Sequence, residues 1–410
     1  MGFAGGSGAR APARPPSPVS AEASIPIGVV GGGPAGATAA LVLARSGHRV
    51  LLLDEGRPGD FKLGEGLPPV ARPLLRELGV LDRFLADAHL PSHGNTSAWG
   101  QAELRSTDFL FDPNGHGWHL DRARFDASLR QAATAAGAEV LAPAKLLEAA
   151  WDGAGWRLSI VSGGEPRRIR CDWLIDATGR RAAMARRQGA ERLHADRLIA
   201  FAARFLPEHP GTDRDTRTLI EAAPDGWWYT ARLPSGERVV AWLTDADLAD
   251  PGRLLSPEGF LARIGQTHHL QAVLAAHRYV LVERPRGADA GSARLDRFVG
   301  PGWLATGDAA LSFDPLSSQG ILNALYTGMR GGQALAAHLA GVGGALEGYT
   351  ARLGELHRAY QHHFASFYRD EQRWKDRPFW ARRHAHPGNP ARGGPGGGVA
   401  EDTQRALPPP

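Results

Sequence analysis

The sequence predicts an α/β protein in which a Rossmann-like dinucleotide-binding domain is interleaved with a smaller domain that has a mixed or antiparallel sheet. Three patterns support this prediction. Residues 27–54 have the pattern of a strand, a turn, a helix and a second strand, residues 173–176 that of another short buried strand, and residues 227–243 that of a β-hairpin. Strands joined through a helix are typical of parallel sheets, whereas hairpins are typical of antiparallel ones.

Length and composition place the chain among globular proteins. It has 410 residues, 43% of them hydrophobic and 22% charged, which is enough for two or three domains with a sizeable core. Cys171 is the only cysteine, which excludes an intrachain disulfide and a cysteine metal cage. The basic residues that give the net charge of +4 are spread along the chain and indicate no nucleic-acid partner.

The two ends of the chain are rich in glycine and proline, and we expect a disordered leader over residues 1–24 and a disordered tail over residues 387–410. The leader lacks the apolar centre of a secretory signal. The sequence has no run of about 18 apolar residues, so no membrane span is predicted. We therefore expect a cytoplasmic protein. The histidine pairs at 268–269 and 362–363 do not have the spacing of a common metal site, so no metal is expected.

The first predicted unit has the order strand, helix, strand. Ile27–Val30 has the pattern of a short buried strand, Ala37–Ser46 that of a helix and Arg49–Asp54 that of the next parallel strand. Between the first strand and the helix the chain reads Gly-Gly-Gly-Pro-Ala-Gly over residues 31–36. This order is the context in which a glycine-rich turn binds a dinucleotide.

The turn matches the pattern G-x-G-x-x-G. Its glycines allow a tight bend, an approach of the backbone to a pyrophosphate, and close packing of helix on strand, while the helix N-terminus attracts the phosphate charge. Asp54 ends the second strand 18 residues after the turn and is expected to bind a ribose, with the neighbouring Glu55 as the alternative. The turn residues expected to contact the dinucleotide are Gly31, Gly33, Pro34, Ala35 and Gly36.

Two later segments indicate which dinucleotide is bound. Residues 173–180, Trp-Leu-Ile-Asp-Ala-Thr-Gly-Arg, resemble the strand that ends at the cofactor in FAD-dependent oxidoreductases of the hydroxylase type. Residues 302–310, Gly-Trp-Leu-Ala-Thr-Gly-Asp-Ala-Ala, resemble the second FAD motif of that superfamily. With the glycine-rich turn, the motifs span about 280 residues. The resemblance implies a GR2-type hydroxylase fold with FAD as cofactor and Asp308 at its ribityl chain.

The resemblance also implies how the domains divide the chain. We expect an FAD-binding domain made of three segments, a substrate domain made of two, and helices at the C-terminal end. The boundaries are 25–95, 118–190 and 285–340 for the FAD-binding domain, 96–117 and 191–284 for the substrate domain, and 341–386 for the C-terminal helices.

Three short segments are similar to flavin-dependent halogenases and their non-halogenating relatives. Residues 61–65, Phe-Lys-Leu-Gly-Glu, resemble the segment whose lysine carries the oxidised halogen, and residues 226–229, Gly-Trp-Trp-Tyr, resemble the first half of the motif G-W-x-W-x-I-P. Residues 313–321, Phe-Asp-Pro-Leu-Ser-Ser-Gln-Gly-Ile, resemble the loop before the helix under the flavin ring. The loop residues that the resemblance places at the flavin are Pro315, Ser318, Gln319, Gly320 and Ile321.

The departures from halogenases disfavour halogenation. Ser317 replaces the glutamate that follows Pro-Leu in halogenases, and a serine has no charge at neutral pH with which to polarise an electrophile or accept an arene proton. Tyr229, Ala231 and Arg232 stand where the tryptophan motif continues with Trp, Ile and Pro. The loop is closer to that of flavoproteins that mature the tryptophylquinone cofactors of amine dehydrogenases and amino-acid oxidases, which act on a tryptophan of a partner polypeptide.

Two basic residues are candidates for positions near the flavin. Lys62 is one of only three lysines among 47 basic residues, and we expect it to reach the reactive oxygen species as a hydrogen-bond donor. A solvated surface lysine is the alternative. The resemblance implies that Arg122, at the start of a long helix, lies near the FAD, and a solvated arginine at the helix start is the alternative there.

Residues 227–233 and 239–243 flank a Pro-Ser-Gly-Glu turn and are expected to form a hairpin in the sheet that covers the flavin. Three tryptophans lie on these strands. Trp227, Trp228 and Trp242 either stack on the substrate or fill the core.

With the resemblance, these residues predict an FAD-dependent monooxygenase that hydroxylates an aromatic small molecule or a tryptophan of a partner polypeptide through a flavin C4a-hydroperoxide. The electrons come from NAD(P)H or from a separate flavin reductase. Thr178 replaces the aspartate of the hydroxylase motif linked to NAD(P)H, which favours the reductase. The alternative functions are a halogenase, a prenyl-lipid reductase of the same superfamily and a non-catalytic flavoprotein maturation factor.

Overall fold

The computed structural model describes residues 23–56 and 62–385. The predicted tail, Phe61 and most of the predicted leader lie outside these residues. The leader prediction is wrong for Ala23 and Ser24, which form a short strand parallel to residues 169–170. Their backbone groups pair with the edge of a sheet, a contact that composition alone does not predict.

The described residues contain eleven α-helices and three one-turn 3₁₀ helices, the latter at Gly179–Arg181, Gly307–Ala309 and Pro315–Ser317. The α-helices are α1 Pro34–Arg45, α2 Ala71–Glu77, α3 Leu81–Ala86, α4 Arg122–Ala135, α5 Ala183–Arg187, α6 Pro251–Leu254, α7 Pro257–Ile264, α8 His269–Ala276, α9 Gly320–Leu339, α10 Ala345–Asp370 and α11 Pro378–His384.

The strands of the same residues form five sheets. They are β1 Ala23–Ser24, β2 Ile27–Val30, β3 Val50–Leu53, β4 Gly66–Leu67, β5 Leu90–Ser92, β6 Gly94–Ala98, β7 Arg105–Asp108, β8 Gly117–His119, β9 Glu139–Leu141, β10 Ala144–Trp151, β11 Trp156–Ser162, β12 Glu165–Cys171, β13 Trp173–Asp176, β14 Arg192–His194, β15 Leu198–Pro207, β16 Thr218–Ala223, β17 Gly226–Arg232, β18 Arg238–Asp245, β19 Tyr279–Leu281, β20 Arg286–Asp289, β21 Ala293–Leu295, β22 Val299–Gly300, β23 Trp303–Ala305 and β24 Leu311–Ser312.

A six-stranded sheet forms the centre of the dinucleotide-binding half. Its order is β22-β23-β13-β2-β3-β9, and every neighbouring pair except β22 and β23 is parallel. The predicted unit of strand, helix and strand is confirmed by β2, α1 and β3. Both strands are buried along their whole length, as expected for parallel strands covered on both faces.

An eight-stranded sheet forms the second half. Its order is β19-β15-β18-β17-β16-β6-β7, with β20 beside β15. The predicted hairpin is confirmed, because β17 and β18 pair antiparallel with Trp228 opposite Trp242. Alternation along β17 sends Trp227 into the main core and Trp228 into a separate core that includes residues of α7 and α8.

The two C-terminal helices join the halves. One face of α10 is buried along its length, and the Tyr349 hydroxyl donates a hydrogen bond to the Ala305 carbonyl at the end of β23, at 2.8 Å. Helix α11 packs on the second sheet, where Trp380 Nε1 donates to the Ala223 carbonyl at 3.0 Å and Arg383 pairs with Asp245 at 2.8 Å. Nowhere in residues 23–56 and 62–385 is a helix long and apolar enough to span a membrane.

Candidate active site

The glycine-rich turn opens onto a cavity of about 520 Å³ at the N-terminus of α1. Gly31 has a φ of +107°, and a Cβ there would lie 2.1 Å from the Ala177 carbonyl oxygen. A Cβ on Gly36 would lie 1.9 Å from the carbonyl oxygen of Gly31. A Cβ on Gly33 would meet no atom within 4 Å, and this residue lines the cavity. Of the three glycines in the G-x-G-x-x-G pattern, Gly33 is therefore the one that presents bare backbone to open space.

Asp54 directly follows β3 and lines the same cavity. Its Oδ2 accepts a hydrogen bond from Arg130 at 3.0 Å, and the same nitrogen of Arg130 donates to the Gly32 carbonyl at 3.0 Å. Glu55 is more exposed and lies 3.6 Å from Arg181. Of the two acids that the sequence offers for a ribose, Asp54 is the one that the fold holds in place.

Asp308 lies in a 3₁₀ turn that packs against the start of α1. A Cβ on Gly307 would lie 2.6 Å from the Cβ of Ala35, and a Cβ on Gly328 of α9 would lie 2.3 Å from the Ala35 carbonyl oxygen. These two close approaches bring the Asp308 turn and helix α9 onto the glycine-rich turn. Asp308 Oδ2 lies 3.5 Å from Arg180 Nε.

The loop at residues 315–319 leads into α9. Ser318 has a φ of +52°, a left-handed conformation, and Gly320 begins the helix with no atom within 4 Å of the position of a Cβ. Asn323 lies one turn further on the same face and is 3% exposed. Among the described residues, neither its Nδ2 nor its Oδ1 has a hydrogen-bond partner. Pro315 is exposed, while Ile321 is buried in the core.

These features fit FAD. The N-terminus of α1 beside Gly33 suits a pyrophosphate, and the held carboxylate of Asp54 suits ribose hydroxyls. The N-terminus of α9 suits the edge of a flavin that becomes negative on reduction. The buried Asn323 amide is a polar group of the kind that a bound cofactor satisfies.

A second cavity, of about 590 Å³, adjoins the start of α9. Ser317, Ser318 and Gln319 of the loop line one part of it, and residues of the second sheet line another. Five aromatic side chains contribute to its wall, which suits a planar apolar ligand. They are Trp99, Phe109, Trp118, Tyr229 and Phe367.

A polar pair, Glu65 and Tyr229, stands at the wall of this second cavity. Glu65 is 2% exposed and accepts a hydrogen bond from the Tyr229 hydroxyl. Burial raises the pKa of Glu65, while the bond from Tyr229 opposes that rise. Strand β4 begins directly after Glu65 and pairs with β8, so that Gly66 lies opposite His119. Burial lowers the pKa of His119 to about 4, so this imidazole is neutral at pH 7.

Asp314 anchors the loop before α9. Its carboxylate accepts hydrogen bonds from the Leu316 N–H at 2.8 Å and from the Tyr368 hydroxyl at 2.8 Å, and its own N–H donates to the Tyr360 oxygen at 3.1 Å. Burial raises the pKa of Asp314 to about 7. Ser317, in the position of the halogenase glutamate, donates to the Asp314 carbonyl at 2.9 Å. The serine hydroxyl thus stabilises the loop.

Lys62 and Arg122 share one carboxylate. Lys62 Nζ lies 2.9 Å from Asp126 Oδ2, and Arg122 Nε lies 3.3 Å from the other oxygen of Asp126, which is 1% exposed. Arg122 also donates to the carbonyls of Leu63 and Gly64, so it is half-buried rather than solvated. Lys62 lines the cavity beside the glycine-rich turn and keeps 36% of its side chain exposed.

The three hairpin tryptophans occupy core positions. Trp227, Trp228 and Trp242 are at most 2% exposed, and none of them lines either of the two cavities. Trp228 contacts Trp242 at 5.0 Å between ring centroids, and Trp227 Nε1 donates to the Tyr368 hydroxyl at 3.0 Å. Of the two alternatives, the structure favours core packing over stacking on a substrate.

Several residues at these cavities were missed by the sequence reasoning. Arg130 follows Arg122 by eight residues on the same helix, and this spacing, which puts both on one face, was the available signal. Asn323 had no signal except its position one turn into a helix. Glu65 and Tyr229 lay within the quoted motifs, but they are 164 residues apart and nothing in the sequence joins them.

Comparison with known proteins agrees with this geometry. The model of the family FAD_binding_3, the FAD binding domain, matches residues 24–358. The FAD-dependent oxidoreductase LodB of Marinomonas mediterranea is 30% identical over 367 residues, which cover 87% of this chain and 96% of LodB.

Two solved structures are similar over most of the chain. The myxobacterial chondrochloren halogenase CndH has a TM-score of 0.77 and 25% identity, covering 88% of this chain and 86% of that one. The peptidyl tryptophan dihydroxylase QhpG, essential for tryptophylquinone cofactor biogenesis, has a TM-score of 0.73 and 26% identity, covering 89% of this chain and 80% of that one. The chain belongs to the FAD_binding_3 family and is an FAD-dependent oxidoreductase of the superfamily that contains flavin-dependent halogenases and hydroxylases.

Proposed function

We propose that the chain is an FAD-dependent monooxygenase that hydroxylates an aromatic substrate, and that this substrate is a tryptophan side chain of a partner polypeptide. The cavity of about 590 Å³ carries the proposal, because the loop before α9 and five aromatic side chains face one space there. The similarity to LodB over nearly its whole length supports an FAD-dependent oxidoreductase, and the similarity to QhpG, a peptidyl tryptophan dihydroxylase, supports the choice of substrate class.

We propose that residues from both halves of the sequence bind FAD. Gly33 would hold the pyrophosphate, Asp54 a ribose and Asp308 the ribityl chain, and the N–H groups at the start of α9 would bind the flavin edge. When bound, FAD supplies the transfer of electrons and the activation of O₂. The chain's own residues orient the cofactor, exclude water with the aromatic wall, and stabilise negative charge through Ser318 to Ile321.

Lys62 is proposed to act beside the flavin. Its ion pair with Asp126 fixes the ammonium at the edge of the cavity that begins at the glycine-rich turn. Lys62→Ala is expected to abolish product formation because the hydrogen-bond donor is lost, while FAD stays bound because Arg122 still pairs with the buried Asp126 carboxylate. Lys145→Ala, at an exposed position on β10, is the matched control. Loss of FAD or full retention of activity in Lys62→Ala would contradict the assignment.

We propose a separate flavin reductase as the electron source. Thr178 supports this choice, because its hydroxyl donates to Asp176 at 2.7 Å and accepts from the Ala183 N–H at 2.7 Å, which leaves it a structural role. The test is the rate at which the bound FAD is reduced by NADH or NADPH alone and with an added flavin reductase. Fast reduction by a nicotinamide alone would refute the proposal.

The test of the function uses FAD-loaded protein, a reductase system, ¹⁸O₂ and an acetylated tryptophan peptide amide. We expect mass spectrometry to show one or two ¹⁸O atoms on the indole ring. Oxygen consumption that yields hydrogen peroxide alone would contradict the proposal.

Halogenation is the second candidate, because Lys62 lies in a halogenase-like segment and CndH is similar over 86% of its length. Bromide added to the same reaction tests it, since a halogenase would give a brominated ring.

A further inference from the structure

The Glu65–Tyr229 pair at the wall of the larger cavity has no part in holding FAD as described above. We infer that Tyr229 Oη, oriented by Glu65, accepts a hydrogen bond from a ring-borne N–H or O–H group of the aromatic substrate and relays the proton of that group to Glu65. The inference rests on the proposed function and names the polar group by which the substrate is held. An indole N–H and a phenol O–H share this chemistry.

The geometry makes Tyr229 an acceptor toward the cavity. A tyrosine hydroxyl has one proton, and Tyr229 donates it to Oε1 of the buried Glu65. Oη has two lone pairs, and one of them accepts a hydrogen bond from the Thr218 side chain. The other remains for a donor in the cavity. Gly66 lines the same wall without a side chain, and a Cβ there would lie 3.9 Å from Oη, so the approach is open.

Alternation along β17 explains why the hydroxyl points to this wall. Tyr229 lies on the same face of the strand as Trp227, which packs in the main core, whereas Trp228 points to the opposite face. Strand β4, next to Glu65, pairs with β8, whose Trp118 and His119 line the same cavity. The Glu65–Tyr229 pair thus joins the second sheet to the segment that follows the glycine-rich unit, at the wall of the cavity.

The charged and titratable groups around the pair favour Glu65 as the final proton acceptor. Arg122 faces Glu65, and Arg238 and Thr218 lie near Tyr229. Burial raises the pKa of Glu65, which makes its carboxylate a stronger base than an exposed glutamate. Burial lowers the pKa of His119 to about 4, so this neighbour is the weaker base, and its Nε2 is engaged with Thr218 Oγ1 at 3.1 Å.

The relay is a pure proton transfer. As the ring gains positive charge, its N–H bond breaks and the proton joins Tyr229 Oη, while the original Tyr229 O–H bond breaks and that proton joins Glu65 Oε1. Tyr229 ends unchanged, Glu65 ends neutral, and the ring nitrogen loses one proton with its bonding electrons retained. The pair therefore needs no oxidant or reductant of its own.

Binding of small probes to the FAD-loaded, oxidised full chain tests the inference. The probes are indole, 1-methylindole, phenol and anisole, and the dissociation constants are measured from the change in flavin absorbance. We expect the wild type to bind indole about tenfold more tightly than 1-methylindole, the effect of one hydrogen bond to a polarised acceptor. A preference for phenol over anisole with no preference for indole would instead assign a phenol O–H as the donor.

Matched variants separate recognition from a structural role. Tyr229→Phe is expected to abolish the preference by weakening indole alone, and Glu65→Gln to reduce it, whereas a structural role would weaken both probes of a pair equally. Tyr326→Phe is the control, because it removes a hydroxyl that accepts a hydrogen bond from Arg352, and Tyr326 lines neither cavity. The preference for indole over 1-methylindole should persist in this variant. If Tyr229→Phe fails to fold, the ratio of the dissociation constants of indole and 1-methylindole is compared between the wild type and Glu65→Gln instead.

Two outcomes would overturn the inference, namely equal probe ratios in the wild type and the variants, or no binding of any of the four probes. The proposed function can fail separately. A preference that depends on Tyr229, without ¹⁸O in any product, would uphold the donor site and refute hydroxylation. Product that carries ¹⁸O, with a preference unchanged by Tyr229→Phe, would uphold hydroxylation and refute the donor site.

Discussion

Gly33 and Gly36 give a matched test of why the turn at α1 needs glycine. In Gly36→Ala, the new methyl would lie 1.9 Å from the Gly31 carbonyl oxygen, so the backbone itself must move. In Gly33→Ala, the methyl would meet no protein atom within 4 Å, and the φ of −73° is one that alanine adopts without strain. The first change should therefore damage the fold, and the second only the cofactor site.

The expected magnitudes differ accordingly. Gly33 is the N-cap of α1, where alanine lowers the free energy of unfolding by about 1 kcal/mol relative to a good cap. Alanine also restricts the unfolded chain, which raises the free energy of unfolding by about 0.4–1 kcal/mol. The apoprotein of Gly33→Ala should thus unfold within about 1 kcal/mol of the wild type. A methyl placed against a bound pyrophosphate costs about 1–3 kcal/mol, which weakens FAD binding roughly 5- to 150-fold.

The assay combines FAD titration by fluorescence with chemical unfolding of the apoprotein. Gly348→Ala, on the exposed face of α10 with nothing within 4 Å of the new methyl, is the control and should be stabilised by about 0.5–1 kcal/mol with FAD affinity unchanged. Wild-type FAD affinity in Gly33→Ala would refute the assignment of this side of the turn to the pyrophosphate. Wild-type stability in Gly36→Ala would refute the packing argument.

Three further changes have defined outcomes. Glu221→Ala should lower the free energy of unfolding, measured by chemical denaturation, by about 2–4 kcal/mol, because the buried carboxylate accepts hydrogen bonds from three N–H groups at the start of α8 at 2.6–3.1 Å. Glu258→Ala, at an exposed position, is the control and should change this free energy by less than about 0.5 kcal/mol. The pKa of Asp314 is raised to about 7 in the folded protein, above the value of about 4 in the unfolded chain. The native state therefore binds the carboxyl proton more tightly than the unfolded state, and the stability falls as the pH rises from about 4 through about 7. Asp314→Asn should flatten that part of the stability profile measured by thermal unfolding, and an unchanged slope would refute it. Arg130→Met frees Asp54 and should weaken FAD binding about tenfold in the fluorescence titration with little change in unfolding, and unaltered affinity would show that the ion pair does not position the carboxylate.

The local units of the fold were predictable because their signals lie close together in sequence. The strand, helix and strand before Asp54 and the hairpin at 226–245 each combine a hydrophobic period with a turn that only certain residues form. The pairing of β1 with β12 was not predictable, since a two-residue strand has no period to detect. Its stability comes from backbone hydrogen bonds that any residue except proline can make.

The site was predictable in its motifs and not in its contacts. Gly31, Gly36 and Asp54 follow from local spacing, whereas the ion pair of Asp54 with Arg130 depends on how α4 packs against α1 and β9. The same holds for Glu65 and Tyr229. Long-range pairs of this kind are selected by the packing of two separate sheets, and a single sequence contains no trace of which residues will meet.

Helix α10 gives a physical reason why the cofactor side and the substrate side of the site hold together. Tyr349, Tyr360 and Tyr368 lie on its buried face, and they contact in turn the end of β23, the N–H of Asp314, and the Asp314 carboxylate. The Tyr368 hydroxyl also accepts a hydrogen bond from Trp227 of the hairpin. One helix therefore fixes the loop before α9 relative to the sheet that carries Tyr229. Under the proposed function, the loop would present its N–H groups to the flavin and the hairpin would present Tyr229 to the substrate, so the tyrosines of α10 would hold the two binding sites at a fixed separation.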